Sequence, residues 1–273
     1  MFVFLAVLAC GQRMDHGGSV GAYAYGDHRS GVPNWELDEE LPHDKFTFAR
    51  VIFTSTSSWS WRRIDRWTID YPESDLNFSF RLQQMTAMKV DPDGVLLELT
   101  DPKLFDYPFI YMVEPGFLLF SEAEVKALRT YLLNGGFLMV DDFWGEDEWE
   151  NFRLEIKRVF PEKEAIEITL DHEIFNTVFP LKKTLDKLPQ IPNVGQAIQG
   201  RRQGITWERW DAQEPHYRII KDDLDRIMVM ICHNTDLGDG WEEEARNHWY
   251  FREFSEKKAY PLGINIIFYA MTH

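Results

Sequence analysis

The chain is poor in cysteine, with only Cys10 and Cys232 among 273 residues, so no disulfide framework holds it together. Basic residues are also in deficit. Twenty-nine Lys and Arg stand against 45 Asp and Glu, for a net charge of −16. A field of that sign repels phosphate backbones and disfavours adsorption to anionic lipid, which excludes nucleic acid as a general partner. No apolar run is long enough to span a bilayer. A glycine-rich phosphate loop is missing, because Asn134-Gly135-Gly136 precedes a strand pattern rather than following one. The strand-to-helix elbow that presents a nucleophilic Ser or Cys is missing too. Cys232 and His233 are neighbours on a strand pattern, so their side chains leave opposite faces and make a poor nucleophile–base pair. Cys232 reads as a core thiol.

Apolar and aromatic material is abundant, at 44% and 15% of residues, enough for a large core. The length suits one large α/β domain. At the N-terminus, Phe2 to Ala9 is continuously apolar, and Val7-Leu8-Ala9-Cys10 resembles a bacterial lipobox, although no Lys or Arg precedes it. Residues 1–10 are therefore expected to act as an export signal with Cys10 as the lipidation site, placing the protein in the periplasm or cell envelope. Residues 11–45 alternate glycine with small and polar residues and end in an acidic run, as a tether does. Residues 46–273 carry the structural periodicities.

Strand patterns occur at 48–54, 95–99, 109–113, 137–140, 166–170 and 225–231, and helical patterns at 76–89, 122–133, 147–159 and 260–271. The clearest unit begins at Ser121, with Glu124 at the capping-box position. It runs through Val125, Leu128, Leu132 and Leu133, stops at Asn134-Gly135-Gly136, and passes at once into Phe137-Leu138-Met139-Val140. A helix, a glycine stop and a short all-apolar strand predict an α/β fold with a mostly parallel sheet and helices on both faces. Residues 180–218 carry four prolines and little periodicity, and read as an irregular insertion or a small hairpin.

Three strand patterns end in polar residues: Asp141-Asp142, Asp171-His172 and His233-Asn234-Thr235-Asp236. The carboxyl edge of a parallel sheet is where ligands bind, so these ends are expected to share a rim. Asp141, Asp142 and His172 are the catalytic candidates, as acid, base or metal ligands. His233, Asn234, Asp236, Asp239, Trp241 and Glu242 are candidates for ligand binding, with Trp59 and Trp61 as rings that stack on a sugar. The competing reading of Asp141 and Asp142 is that one caps a helix and the other holds a loop amide. No cofactor is identified by a motif, and a divalent metal stays open. Asp236 to Glu242 lacks the alternating acidic pattern of a calcium loop.

An ordered set of segments resembles the bacterial domain-of-unknown-function family 4159. It comprises Phe48-Ala49-Arg50, Asp101 to Tyr111, Leu128 to Leu138, Asp141-Asp142, Asp171 to Phe175, Asn234 to Glu242 and Gly263-Ile264-Asn265 to Tyr269-Ala270. The resemblance implies a class I glutamine-amidotransferase-like fold, a flavodoxin-like three-layer sandwich, in a protein that is exported or membrane-attached. It implies no activity. Asp141-Asp142 stands where the amidotransferases carry a nucleophilic Cys, so glutaminase chemistry is not expected. Two functions remain: a non-catalytic envelope module binding a carbohydrate or a protein, and a hydrolase of a sugar or envelope substrate using the Asp/His rim.

Overall fold

A computed structural model of the chain describes residues 29–37, 44–56 and 65–273. The expected export signal with Cys10, most of the tether, and Trp59 and Trp61 lie outside the described residues. Residues 29–37, inside the stretch read as tether, lie against the domain. Arg29 Nη1 donates to the Pro92 carbonyl at 2.9 Å, and Trp35 Nε1 donates to the Val90 carbonyl at 2.8 Å.

The domain is α/β, with one seven-stranded sheet of order β2-β1-β3-β4-β7-β6-β5. The strands are β1 (Ala49–Ile52), β2 (Val95–Glu98), β3 (Phe109–Val113), β4 (Phe137–Asp141), β5 (Ile166–Glu167), β6 (His216–Lys221) and β7 (Ile227–His233). The first four strands and β7 run parallel, while β6 is antiparallel to both of its neighbours. The sheet is thus mostly parallel, with an antiparallel edge. Strand β6 emerges from the end of the stretch read as irregular, where His216, Arg218 and Lys221 interrupt the apolar pattern. The strand pattern at 166–170 shortens to the two residues of β5.

The helices are α1 (Glu73–Met85), α2 (Glu122–Leu133), α3 (Gly145–Val159), α4 (Leu181–Thr184), α5 (Val194–Gly200), α6 (Leu237–Glu242), α7 (His248–Tyr250) and α8 (Tyr260–Thr272). A π-helical segment, Phe251–Ala259, leads into α8. Alternation along the strands divides the core in two. Phe109, Tyr111 and Val113 meet Phe78 and Leu82 of α1 and Leu262 and Ile266 of α8 on one face. Ile110 and Met112 meet Leu128 and Leu132 of α2 and Phe152, Ile156 and Val159 of α3 on the other. Each such side chain taken fully out of water contributes about 1.5–3 kcal/mol, so the central strands hold the rim on a rigid base. The capping box at Ser121 and Glu124 is formed as the sequence predicts, with Ser121 N donating to Glu124 Oε2 at 2.7 Å.

Candidate functional site

The loops after β1, β3, β4 and β7 leave the carboxyl edge of the parallel strands and surround a cavity of about 360 Å³. Its lining includes Asp70, Glu114, Asp142, Glu148, Glu208, Asp236 and Asp239, together with Arg66, Arg209, Ile69, Phe117 and Trp144. Seven carboxylates therefore face two guanidiniums. Both guanidiniums are engaged: Arg66 Nη1 pairs with Glu114 at 2.5 Å and Arg209 Nη1 with Glu148 at 2.7 Å.

The adjacent acids Asp141 and Asp142 have different jobs. Asp141 is the last residue of β4 and is fully buried. Its Oδ2 accepts from Leu237 N at 2.8 Å, Gly238 N at 3.1 Å and Tyr111 Oη at 3.1 Å. Asp141 thus ties the start of α6 to the sheet edge, satisfying amides that a helix terminus leaves open. Burial pushes its pKa up to about 7 against the pull of those donors. Asp142 takes a left-handed backbone (φ 57°), and this turns its carboxylate into the cavity, where Oδ1 accepts from Trp144 Nε1 at 3.0 Å. Burial, followed by the charges of Glu114 and Asp70, holds Asp142 well above the usual carboxylate range.

Asp236 caps α6, its Oδ1 accepting from Asp239 N at 2.8 Å, and it lines the cavity beside Asp239. Burial pushes Asp239 up to about 8, with Glu243 and Glu208 adding to the rise. Glu242, at the far end of the same short helix, reaches Asp70 and is also raised, chiefly by burial. The segment Asp236 to Glu242 is a capped helix, not a calcium loop.

Sequence reasoning missed Asp70, Glu114, Glu148, Glu208 and Trp144. Asp70 is delivered by Arg50, a fully buried arginine on β1. Arg50 pairs with Asp75 at 2.5 Å and donates to the carbonyls of Trp67 at 3.0 Å and Ile69 at 2.8 Å. These bonds fix the turn that carries Asp70, whose own backbone is left-handed (φ 61°). Burial and then the charge of Asp239 raise Asp70 well above its ordinary pKa, and its buried Oδ2 has no hydrogen-bond partner among the described residues. Gly238 makes the approach possible, since a Cβ there would collide with that same oxygen. Glu114 directly follows β3 as Asp142 directly follows β4, so the strand-end pattern could have found it. Glu208 comes from the proline-bearing stretch, which gives no local signal.

Other candidates lie elsewhere. Both ring nitrogens of His233 are occupied, Nδ1 accepting from Arg218 Nη1 at 3.2 Å and Nε2 donating to the Gly145 carbonyl at 3.0 Å. Burial then drives its pKa down to about 3, so it is a neutral clamp. Asn234 accepts from Gly145 N at 2.8 Å and donates to the Glu214 carbonyl at 2.9 Å. Trp241 is buried against Phe48, Phe78 and Tyr111, inside the core rather than at the cavity. His172 is outside the lining. It caps the turn at Glu173–Phe175, accepting from Ile174 N at 3.2 Å, and its ring packs near Tyr269 of α8. The expected common rim thus forms from two of the three strand ends. The third fails because β5 is only two residues long and His172 lies beside Tyr269, Lys221 and Asp225, away from the cavity.

The cavity joins segments spread from Arg66 to Asp239, all inside the stretch recognised by one family model. No curated protein matches the chain. The model that does match is described as Domain of unknown function (DUF4159) and covers residues 47–271, so the chain belongs to that family.

Proposed function

We propose that the carboxylate-lined cavity is the ligand site of an exported, cell-envelope binding module, and that its ligand is a carbohydrate. The single observation that carries this reading is the lining itself. Several acceptor carboxylates without a cationic partner among the described residues sit beside the rings of Phe117 and Trp144. Carboxylates accept hydrogen bonds from sugar hydroxyls, and aromatic rings pack on the apolar faces of sugars. A cavity of about 360 Å³ lies in the size range of small-molecule sites. The parallel strand order β2-β1-β3-β4-β7 supports a flavodoxin-like, amidotransferase-like sandwich, with the cavity beside the β1/β3 switch in strand order. Cys232 cannot serve as an amidotransferase nucleophile, because burial pushes its thiol well above its ordinary pKa and it lies in the core.

Titrating the full chain with a panel of neutral and acidic oligosaccharides, read by tryptophan fluorescence and calorimetry, tests this. Binding that weakens in both Asp142→Asn and Trp144→Ala is expected. No binding across the panel, or binding indifferent to both changes, overturns it. For export, mass spectrometry of the mature protein is expected to find a lipid-modified Cys10 at its start, and an intact Met1 would sink that part.

One observation favours a hydrolase as second reading. Asp239, pushed up to about 8, is a proton donor at neutral pH beside other carboxylates, as acid–base cleavage of a glycosidic bond requires. Turnover of any glycan in the panel, abolished in Asp239→Asn, would select it over simple binding.

A further inference from the structure

Three overlapping groups of carboxylates occupy the cavity: Asp70–Asp142–Asp236, Asp70–Asp239–Glu242 and Glu208–Asp236–Asp239. In each, one oxygen per residue lies within 4.8 Å of the others. Acidic residues gather on many protein surfaces without binding anything, because water screens them. Two further observations separate this cluster from those. Asp70 belongs to two of the groups, and its Oδ2 is buried with no hydrogen-bond partner among the described residues. Asp239 is only 8% exposed, lines the cavity, and among the described residues its carboxylate meets no N–H donor and no cation. Its carboxylate neighbour is another acid, Asp236.

The described cations around the cavity do not close this deficit. Arg50 is held by Asp75, Arg66 by Glu114, and Arg209 by Glu148. A buried carboxylate group of this size needs either protons or a cation. The donor set also says which cation. Among the described residues, every ligand atom these groups offer is a carboxylate oxygen, which suits magnesium, calcium or manganese. Zinc favours nitrogen and sulfur, and the nearby imidazole, His233, has both nitrogens engaged.

We propose that the cavity binds a hard divalent cation, with Asp70, Asp142 and Asp236 as its principal ligands and Asp239 and Glu242 completing the shell directly or through water. This deepens the ligand-site reading and rests on the same cavity: the cation would present its open positions to ligand hydroxyls. It would also tie the loop after β1 to those after β4 and β7, which Asp141 and Asn234 already join to each other.

The test uses the full chain stripped with a chelator and then titrated with manganese, calcium and magnesium. Free manganese is followed by its paramagnetic resonance, and all three ions by calorimetry and by the shift in Tm. Saturable binding of at least one ion with a rise in Tm is expected. Asp70→Asn and Asp142→Asn are each expected to weaken it roughly tenfold or more. Each variant should melt, without metal, at or above the wild-type temperature, because it loses a repelling charge. Absence of binding at millimolar concentrations of all three ions overturns the proposal. So does wild-type affinity in both variants, or a metal-free Tm that falls as binding is lost, since the carboxylates would then be structural. If oligosaccharides bind the stripped protein and no ion does, the cation fails and the carbohydrate reading stands. If an ion binds and no oligosaccharide does, the reverse holds.

Discussion

Two buried charge groups lie on either side of one turn, and they differ in how completely they are answered. Arg50 and Asp75 are both buried, and the guanidinium also reaches the Ser74 hydroxyl at 2.8 Å and two backbone carbonyls. Asp70, between them in the chain, belongs to a cluster whose members chiefly face one another. The first group resembles what folding selects: a costly desolvation offset by dense hydrogen bonding. The second lowers the stability of the domain as it stands. An arrangement that opposes folding and persists at a sheet edge where ligands bind is best explained by what it holds.

Breaking the satisfied group should have the largest effect. Arg50→Met leaves Asp75 buried without its guanidinium, and urea denaturation should show a loss of about 3–5 kcal/mol. Asp141→Ala comes next. It strands the amides of Leu237 and Gly238 and the Tyr111 hydroxyl, for an expected loss of about 2 kcal/mol. If that variant unfolds like the wild type, Asp141 is not the anchor of α6.

The unsatisfied group should respond in the opposite direction. Asp239→Asn is expected to stabilise the metal-free domain by about 1 kcal/mol, or roughly 2–4 °C in Tm. A destabilised variant would remove Asp239 from the repelling set. The pH dependence follows from the same contrast. Asp239, raised from 3.8 to about 8, contributes stability that is present in full below its unfolded value and fades as pH rises through 8. His233, lowered from 6.5 to about 3, contributes stability that is present above 6.5 and is lost as pH falls through 3. Stability measured in urea between pH 6.5 and 8 should therefore fall with rising pH, and Asp239→Asn should flatten that slope. The smallest effect is expected from Trp144→Phe, which removes one indole hydrogen bond to Asp142 and should change stability by about 0.5 kcal/mol.

Local rules made much of the frame legible. Ser121, Glu124 and the Asn134-Gly135-Gly136 stop fixed the ends of α2, and the apolar run after them became the centre of the sheet, because capping and left-handed stops act within a few residues. The same rules placed Asp141 and Asp142 at the carboxyl edge. They could not divide the pair, because the division depends on the left-handed turn at Asp142 and on amides arriving from α6, ninety-odd residues later. His172 misled for the complementary reason. It follows a strand pattern just as Asp142 does, but its strand is a two-residue edge piece and the rim is elsewhere. Asp70 and Glu208 come from loops, where no periodicity marks which residue will face inward.

The position of β7, inserted between β4 and β6, bears on the order of events during folding. Asp236 and Asp239 follow β7, whereas Asp70 and Asp142 follow β1 and β4, so the acid group is complete only when β7 docks. Collapse of the first four strands brings together Asp70, Asp142 and Glu114, and the docking of β7 adds Asp236 and Asp239 to them. Added salt should therefore speed the last phase of refolding more than the first, and Asp239→Asn should refold at low salt as the wild type does at high salt. Equal salt sensitivity in both phases would show that the acids are already close before the sheet is complete.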